Sequence, residues 1–159
     1  MCFHTSQTKK VVELENRYDA SLSDDEARDA YDIPRYHLNG FSHPDMHIKH
    51  KNNDVLSLAG LYTLVGSVVT FTILTKKASP LFAKIHNKKN RQPIILQKDF
   101  EQEWLKDDLN ENGIKELINL NFNEEELSTY TVSRDLFQIK VNTDTESIID
   151  EVKYDGVVI

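Results

Sequence analysis

Cysteine is nearly absent from this sequence: among 159 residues the only one is Cys2. A single cysteine excludes an intrachain disulfide framework, which agrees with a reducing compartment. No apolar run approaches the roughly 20 residues that cross a bilayer. The first residues also lack the charged and then apolar pattern of a signal peptide. The sequence therefore predicts a cytoplasmic protein without a membrane partner.

Acidic side chains are missing from one segment. Residues 55–98 contain seven Lys/Arg and no Asp/Glu, whereas the whole chain carries a net charge of −7. A basic segment inside an acidic chain indicates a local anion-binding face. A solvated surface that balances the acidic residues 99–159 explains the same lysines, and both interpretations are open on charge alone.

Several common catalytic motifs are also missing. The sequence has no GxGxxG, no P-loop, no GxSxG and no HExxH, which removes many common enzyme classes. Four of the six histidines fall within residues 37–50 without partner cysteines. Because metal sites need three or four converging ligands, solvated or turn-forming histidines are favoured over a metal centre there. No cofactor is predicted.

The order of apolar and polar runs predicts an α+β fold. Two runs rich in Val, Leu, Phe and Thr meet at Gly66-Ser67, which predicts a hairpin. Ser79 and Pro80 predict the start of a short helix. Two acidic helical segments follow, and another helix is expected from Thr5 or Ser6 to about Ala20. Strands and helices alternate without βαβ regularity.

Cys2 lies directly behind Met1, and small second residues generally permit removal of the initiator methionine. The freed α-amine has a pKa of roughly 7.7–8.0, so a fraction of it is neutral near pH 7. Amine and thiol together form a 1,2-aminothiol, which condenses with aldehydes to a thiazolidine ring. The same pair can cleave an amide bond. A tail cysteine of no consequence is the competing interpretation.

His86 is the histidine with the most suggestive surroundings. It ends the short predicted helix, and its neighbours in sequence are Lys84, Lys88, Lys89 and Arg91. Like charges oppose protonation, so the neutral imidazole, which can accept a proton, is favoured. A histidine that is merely stabilised by the helix dipole is the alternative.

Several motifs occur in a fixed order along the sequence: Met1-Cys2 is followed by FHTSQTK, RYHLNGFSHP, LAGLYT, FTILTKKASPLFAKIHNKKNRQPIIL and TVSRDLFQIKVN. This order resembles a known family, the SOS response-associated peptidase (SRAP) family of abasic-site processing proteins. The I-H…R-x-P block and Cys2 are the most specific features. The resemblance implies binding of single-stranded DNA and a covalent thiazolidine DNA–protein crosslink to abasic sites.

The resemblance also implies roles for individual residues. Cys2 would be the nucleophile and crosslinking residue. His86 would assist opening of the sugar ring and proton transfer, and Arg91 with Thr75 would contact phosphate. The remaining cations would supply a basic rim to the DNA strand, an inference from charge alone: Lys76, Lys77, Lys84, Lys88 and Lys89.

The sequence departs from the family in its centre. Between HPDMHI and NNDVLSLAGLY the family has a long region that this sequence lacks. That region contains the family's catalytic asparagine, its catalytic glutamate and an arginine that binds DNA. The nearest counterpart of the glutamate motif, GLYTLVG, has Thr63 where the acid would be needed, and it aligns better with a second, non-catalytic G-L-Y motif of the family. The family fold resembles a strongly curved mixed β-sheet, close to a barrel, with peripheral helices, so this chain is expected to be a shortened version. General acid–base assistance typically accelerates a reaction about 10²–10⁴-fold. Because the family's glutamate is missing, we expect the crosslinking reaction to be slow.

The expected organisation is a single SRAP-like domain, residues 1–159. It consists of an N-terminal segment (residues 1–50), a C-terminal segment (residues 55–145) and a polar tail (residues 146–159). We expect a monomer of the hydrolase or lyase type that acts in the DNA damage (SOS) response and lies at the nucleoid when bound to DNA. Two alternatives are open: a non-catalytic single-stranded DNA-binding remnant, and a small acidic interaction protein.

Overall fold

The computed structural model describes residues 5–38, 46–85, 90–138 and 141–155. Strands and short helices alternate along these ranges, which confirms the α+β class. The chain divides into two compact units, one formed by Met1–Ile48 with Thr129–Ile159 and one formed by Lys49–Ser128. No helix within the described ranges is long and apolar enough to cross a membrane.

The regular elements are short. The strands are β1 (Thr5–Gln7), β2 (Arg35–Leu38), β3 (Met46–His50), β4 (Ser57–Leu58), β5 (Gly60–Val65), β6 (Val68–Ile73), β7 (Thr75–Lys77), β8 (Arg91–Pro93), β9 (Ile95–Leu96) and β10 (Leu127–Thr131). The α-helices are α1 (Val11–Tyr18), α2 (Asp25–Tyr31), α3 (Pro80–Ile85), α4 (Glu101–Trp104) and α5 (Glu111–Asn119).

The first helix begins later than the sequence predicts. Thr5 lies in β1, which pairs antiparallel with β2, so the chain is extended where the helix was expected to start. Helix α1 begins at Val11, whose backbone N–H donates to Asp32 Oδ1 at 2.7 Å. The Lys10 ammonium also donates to the Asp32 carbonyl at 2.8 Å. Asp32, distant in sequence, therefore fixes the start of α1.

Helix α2 lies within the polar stretch SLSDDEARDAYDIP. Asp24 stands at the N-cap, where its Oδ1 accepts from the backbone N–H groups of Glu26 at 3.0 Å and Ala27 at 3.1 Å. An Asp N-cap satisfies donors that the first turn leaves unpaired. The bidentate pair between Arg28 and Glu15, with Nη2 to Oε2 at 2.6 Å, ties α2 to α1.

The polar C-terminal residues pack within the first unit. Val152 N–H donates to the Thr131 carbonyl at 2.8 Å. The Tyr154 hydroxyl donates to the Val132 carbonyl at 3.1 Å, and the guanidinium carbon of Arg134 lies 4.6 Å from the centre of the Tyr154 ring. Val152 and Tyr154 are therefore joined to the end of β10 and to the residues that follow it.

Three extended segments of the second unit, residues 57–65, 68–77 and 91–96, change partners at one junction. Ala59 N–H donates to the Ile94 carbonyl at 2.9 Å, Leu74 N–H to the Ala59 carbonyl at 2.9 Å, and Ile94 N–H to the Leu74 carbonyl at 3.1 Å. Each residue lies between two short strands, so three strand pairs diverge from this point: β4–β9, β5–β6 and β7–β8, all antiparallel. The described strands therefore form two-stranded sheets where the family resemblance suggested one curved sheet.

The core of the second unit surrounds that junction. Ala59 and Ile94 are fully buried, Leu96 is buried, and three partly buried side chains pack against them: Leu74, Trp104 and Ile118. A Cβ on Gly60 would lie 2.9 Å from the Thr72 carbonyl oxygen. Glycine is therefore required where β5 leaves the junction.

Several elements of this unit agree with the sequence prediction. The β5–β6 hairpin pairs Val65 with Val68 around its turn, and Gly66 has the positive φ of 63° that the turn needs. Phe82 N–H donates to Ser79 Oγ at 3.4 Å at the start of α3. The two acidic segments form α4 and α5.

Candidate nucleic-acid interface

The described residues of the predicted DNA site lie on the β7–β8 ribbon and on α3. In the register of the ribbon, Lys77 lies opposite Arg91 and Lys76 lies opposite Gln92. Side chains alternate between the two faces of a strand. Thr75, Lys77 and Arg91 therefore share one face, which we call the ribbon face, and Lys76 and Gln92 share the other.

A side-chain hydrogen bond organises the ribbon face. Arg91 Nη2 donates to Thr75 Oγ1 at 2.5 Å. A guanidinium carries five N–H donors in a rigid fork, so one bond to Thr75 fixes its orientation while the other donors can serve a ligand. Arg91 is exposed and Thr75 is half-buried. The two residues thus form an oriented donor group at the surface.

The ribbon face also brings two cations together. Lys77 and Arg91 are direct cross-strand neighbours, and both are exposed. Cβ atoms of such neighbours are about 4.5–5.5 Å apart, and like charges in this position destabilise the strand pair. Within the described ranges, neither residue forms an ion pair with a carboxylate. A bound anion would relieve this repulsion.

Lys76 points to the opposite side of the ribbon, where it caps a helix. Its Nζ donates to the Leu120 carbonyl at 2.5 Å, to the Ile118 carbonyl at 3.4 Å and to Asn121 Oδ1 at 3.2 Å. These groups lie at the C-terminal end of α5, where carbonyls lack helical partners. Burial lowers the pKa of Lys76. Charge alone suggests that Lys76 belongs to a basic rim along the DNA strand, whereas in the structure its ammonium group is bonded to the end of α5.

Gln92 holds the start of α3 against the ribbon, and sequence reasoning missed it. Its side chain is buried, and its Oε1 accepts from the Ser79 backbone N–H at 2.6 Å. Asn90, with φ of 47°, accepts from Ala78 N–H at 2.8 Å through its carbonyl. Asn is enriched in this left-handed conformation, so its position was a readable signal. No sequence signal marks Gln92.

Lys84 belongs to the last turn of α3 and is exposed. The contacts at Ser79 and Gln92 therefore fix the helix that carries it. Four predicted site residues lie outside the described residues: Cys2, His86, Lys88 and Lys89. His86 is the next residue in sequence after Ile85, the last residue of α3.

His47 and His50 have partners in the protein. His50 Nε2 lies 3.4 Å from Glu126 Oε2, and His50 Nδ1 accepts from Asn52 N–H at 3.2 Å. The His47 ring centre lies 5.3 Å from that of Tyr130. Across the described residues, no group of three or more His, Cys, Asp or Glu residues could hold a metal ion.

Glu101 is the buried carboxylate of the second unit, and it accepts a hydrogen bond from Ser57 Oγ. A general base must reach the proton that it removes. Because Glu101 is only 3% exposed and already bonded, it cannot reach a DNA strand at the surface. It therefore does not replace the acid that the family has in its central region.

Comparison with known proteins gives matches to one family model and to solved structures. The family model described as SOS response associated peptidase (SRAP) matches residues 39–139. Nine chains of solved structures match. One of them, a Bacteroides thetaiotaomicron protein determined by X-ray crystallography, is 27% identical with a TM-score of 0.59, and the match covers 68% of this chain and 48% of that chain. This chain thus spans about half the length of that structure. No curated protein matches.

Proposed function

The chain belongs to the SOS response-associated peptidase family, and from this premise we propose that it processes abasic sites in the DNA damage response. In this proposal it binds single-stranded DNA along the ribbon face and captures the ring-opened abasic sugar through Cys2. The family assignment supports the association with DNA damage. The covalent step rests on the chemistry of Cys2, and the binding step rests on the ribbon face.

The ribbon face is the observation that carries the binding step. Lys77 and Arg91 present two cations on one exposed face, and Thr75 orients the guanidinium. Residues 55–98 bring no carboxylate to compete with a phosphate. Contacts of this kind bind the DNA backbone without reading its sequence. A single strand with a missing base presents such a backbone.

The covalent step requires removal of Met1, which frees the α-amine of Cys2. The amine attacks the aldehyde carbon of the ring-opened sugar, and loss of one water gives an imine. The thiolate then adds to the imine carbon, and the proton of the thiol ends on the nitrogen. One C–N bond and one C–S bond form, the aldehyde oxygen leaves as water, and no oxidant is needed. We propose His86 as the group that assists ring opening and proton transfer.

The proposed reaction lacks the carboxylate that the family uses. Glu101 cannot take its place because it is buried and bonded to Ser57. Proton transfers would therefore depend on His86 and on solvent. Since positioned acid–base groups contribute about 10²–10⁴-fold, the crosslinking rate should fall below that of a family member with its central region by a factor of this order.

The test is the intact mass of the protein after mixing with a single-stranded oligonucleotide that carries one abasic site. The expected product has the mass of the protein without Met1 plus the oligonucleotide minus one water. Cys2→Ser should give no product, and an oligonucleotide with a tetrahydrofuran spacer, which has no aldehyde, should also give none. An unshifted mass from folded protein without Met1 would contradict the covalent step.

Binding without chemistry is the second candidate function. It is favoured by the ribbon face, whose described residues are in place without the family's central region. It predicts affinity for intact single strands that falls steeply with salt, and no adduct. Absence of DNA affinity at low salt would contradict both candidates and would favour an acidic interaction protein that uses residues 99–159.

A further inference from the structure

The β5–β6 hairpin presents large apolar side chains to solvent. Its strand residues from Leu61 to Thr72 are all exposed. Monomeric proteins rarely expose contiguous apolar patches of more than a few hundred Å², and larger patches mark interaction sites. The exposed apolar side chains of the hairpin therefore indicate a surface that another molecule covers.

The register of the hairpin separates its two faces. Tyr62 lies opposite Phe71, and Leu64 lies opposite Val69. These four side chains share one face, which we call the apolar face, and their exposed fractions are 76%, 78%, 65% and 60% in that order. The opposite face has no aromatic residue and carries all three threonines of the two strands beside three exposed aliphatic side chains: Leu61, Thr63, Val65, Val68, Thr70 and Thr72.

Nothing in the hairpin opposes association with another chain. Residues 55–75 contain no charged side chain and no proline, whereas exposed edge strands are normally protected by charges, prolines or bulges. Among the described strands, β5 and β6 pair only with each other. The six residue pairs of the hairpin follow a regular register without a bulge.

We propose that the apolar face is the interface between two copies of this chain. Aromatic side chains bury roughly 150–250 Å² each, so Tyr62 and Phe71 with the smaller Leu64 and Val69 offer on the order of 500–600 Å² per copy at these exposed fractions. Two copies would bury about 1,000–1,200 Å², which is the lower end for specific, stable interfaces. The two hairpins would pack as sheet on sheet, with the aromatic pairs at the centre.

A second copy fits this face better than a charged partner does. A two-fold axis brings the same patch of both chains together, so an apolar patch is complementary to itself. Each chain carries a net charge of −7, and contact through an uncharged hairpin lets two such chains meet without opposing acidic surfaces. Added salt would screen the remaining repulsion and would strengthen the dimer.

The test is sedimentation equilibrium of the full chain at several concentrations, with two matched variants. Leu64→Lys places a charge on the apolar face, and Thr63→Lys places the same charge at the adjacent position of the same strand on the opposite face. The wild-type protein should form a dimer in the micromolar range. Leu64→Lys should weaken dimerisation at least tenfold, and Thr63→Lys should change it less than threefold.

Each other outcome overturns the proposal. A wild-type monomer at 100 µM, or a dimer that Leu64→Lys leaves intact, would show that the apolar face does not join two copies. If Thr63→Lys weakens dimerisation as much as Leu64→Lys does, the effect belongs to both faces of the hairpin and not to the apolar face. Circular dichroism spectra verify that both variants fold, and Phe71→Lys provides a second charge on the same face. Dimerisation is independent of the DNA reaction, so the two proposals can fail separately.

Discussion

Arg91 Nη2 donates a hydrogen bond of 2.5 Å to Thr75 Oγ1, although the two residues are sixteen positions apart in sequence. The bond crosses the β7–β8 ribbon from one strand to the next. It makes Thr75 an orienting residue for the guanidinium as well as a candidate phosphate ligand. The two side chains should therefore act as one unit, and their substitutions should not be additive.

Arg91→Gln should weaken binding of a fluorescent single-stranded oligonucleotide about 10- to 100-fold, since a hydrogen bond to a charged group contributes about 1.5–3 kcal/mol. The slope of log affinity against log salt should fall by about 0.7, the loss of one phosphate contact. Lys115→Gln removes the same charge from α5, where Lys115 pairs with Glu111 at 2.5 Å. If fluorescence anisotropy shows the same loss of affinity in both variants, DNA binding depends only on the net charge of the protein.

Thr75→Val keeps the side-chain shape and removes the hydroxyl that orients Arg91. The expected loss of affinity is about threefold, smaller than for Arg91→Gln, because the guanidinium charge stays in place and only the bond that orients it is lost. The salt slope should stay unchanged because no cation is removed. Thr72→Val, at an exposed threonine of β6, should have no effect. The double variant with Arg91→Gln should bind no worse than Arg91→Gln alone, and additive losses would contradict the orienting role.

Local patterns predicted the elements of the second unit well. The hairpin turn at Gly66-Ser67 and the start of α3 at Ser79 were readable because they depend on neighbouring residues. Helix α1 depends instead on Asp32, which lies far along the sequence from Val11. Short-range signals therefore placed its start too early.

The candidate site shows the same limit. The excess of Lys and Arg in residues 55–98 indicated a basic segment, but it predicted the same role for Lys76 and Lys77. The pleat of β7 sends them to opposite faces, so Lys77 lies beside Arg91 while Lys76 reaches the end of α5. Only the register of the ribbon distinguishes the two roles.

Lys76→Met and Lys77→Met form a reciprocal test of those roles. Lys76→Met leaves carbonyls at the end of α5 without their donor, so the free energy of unfolding should fall by about 1–3 kcal/mol, with little effect on DNA binding. Lys77→Met should change stability by no more than about 0.5 kcal/mol and should weaken DNA binding. Urea unfolding and anisotropy measure the two effects. The reverse pattern would contradict the assignment of the faces.

Glu15→Gln should make stability depend less on pH. The bidentate hydrogen bonds from Arg28, and then the bond from the Leu22 backbone, lower the pKa of Glu15 below 4.5. Because the folded state holds the proton less tightly, this contribution is fully present above pH 4.5 and is lost as pH falls through the lowered pKa. The stability difference between wild type and variant should therefore shrink below pH 4.5. Glu146→Gln, at an exposed position, should show no such change.

Ile94→Ala should destabilise the second unit strongly, since Ile94 is fully buried and belongs to the junction of the three strand pairs. Truncation of a buried Ile to Ala costs about 2–5 kcal/mol, whereas Ile94→Val should cost about 0.5–1.5 kcal/mol. Ile33→Ala removes the same atoms from a side chain that is 54% exposed, and should cost at most about 0.5 kcal/mol.

Trp104, the single tryptophan, packs against the cluster around Ile94. Its fluorescence during urea unfolding therefore reports on the second unit. If the free energy of unfolding falls from wild type to Ile94→Val and falls further in Ile94→Ala, the core lies at the junction. The loss then follows the number of atoms removed from the cluster. Equal effects of Ile94→Ala and Ile33→Ala would mean that the junction is not the centre of the core, and that the three strand pairs are held together elsewhere.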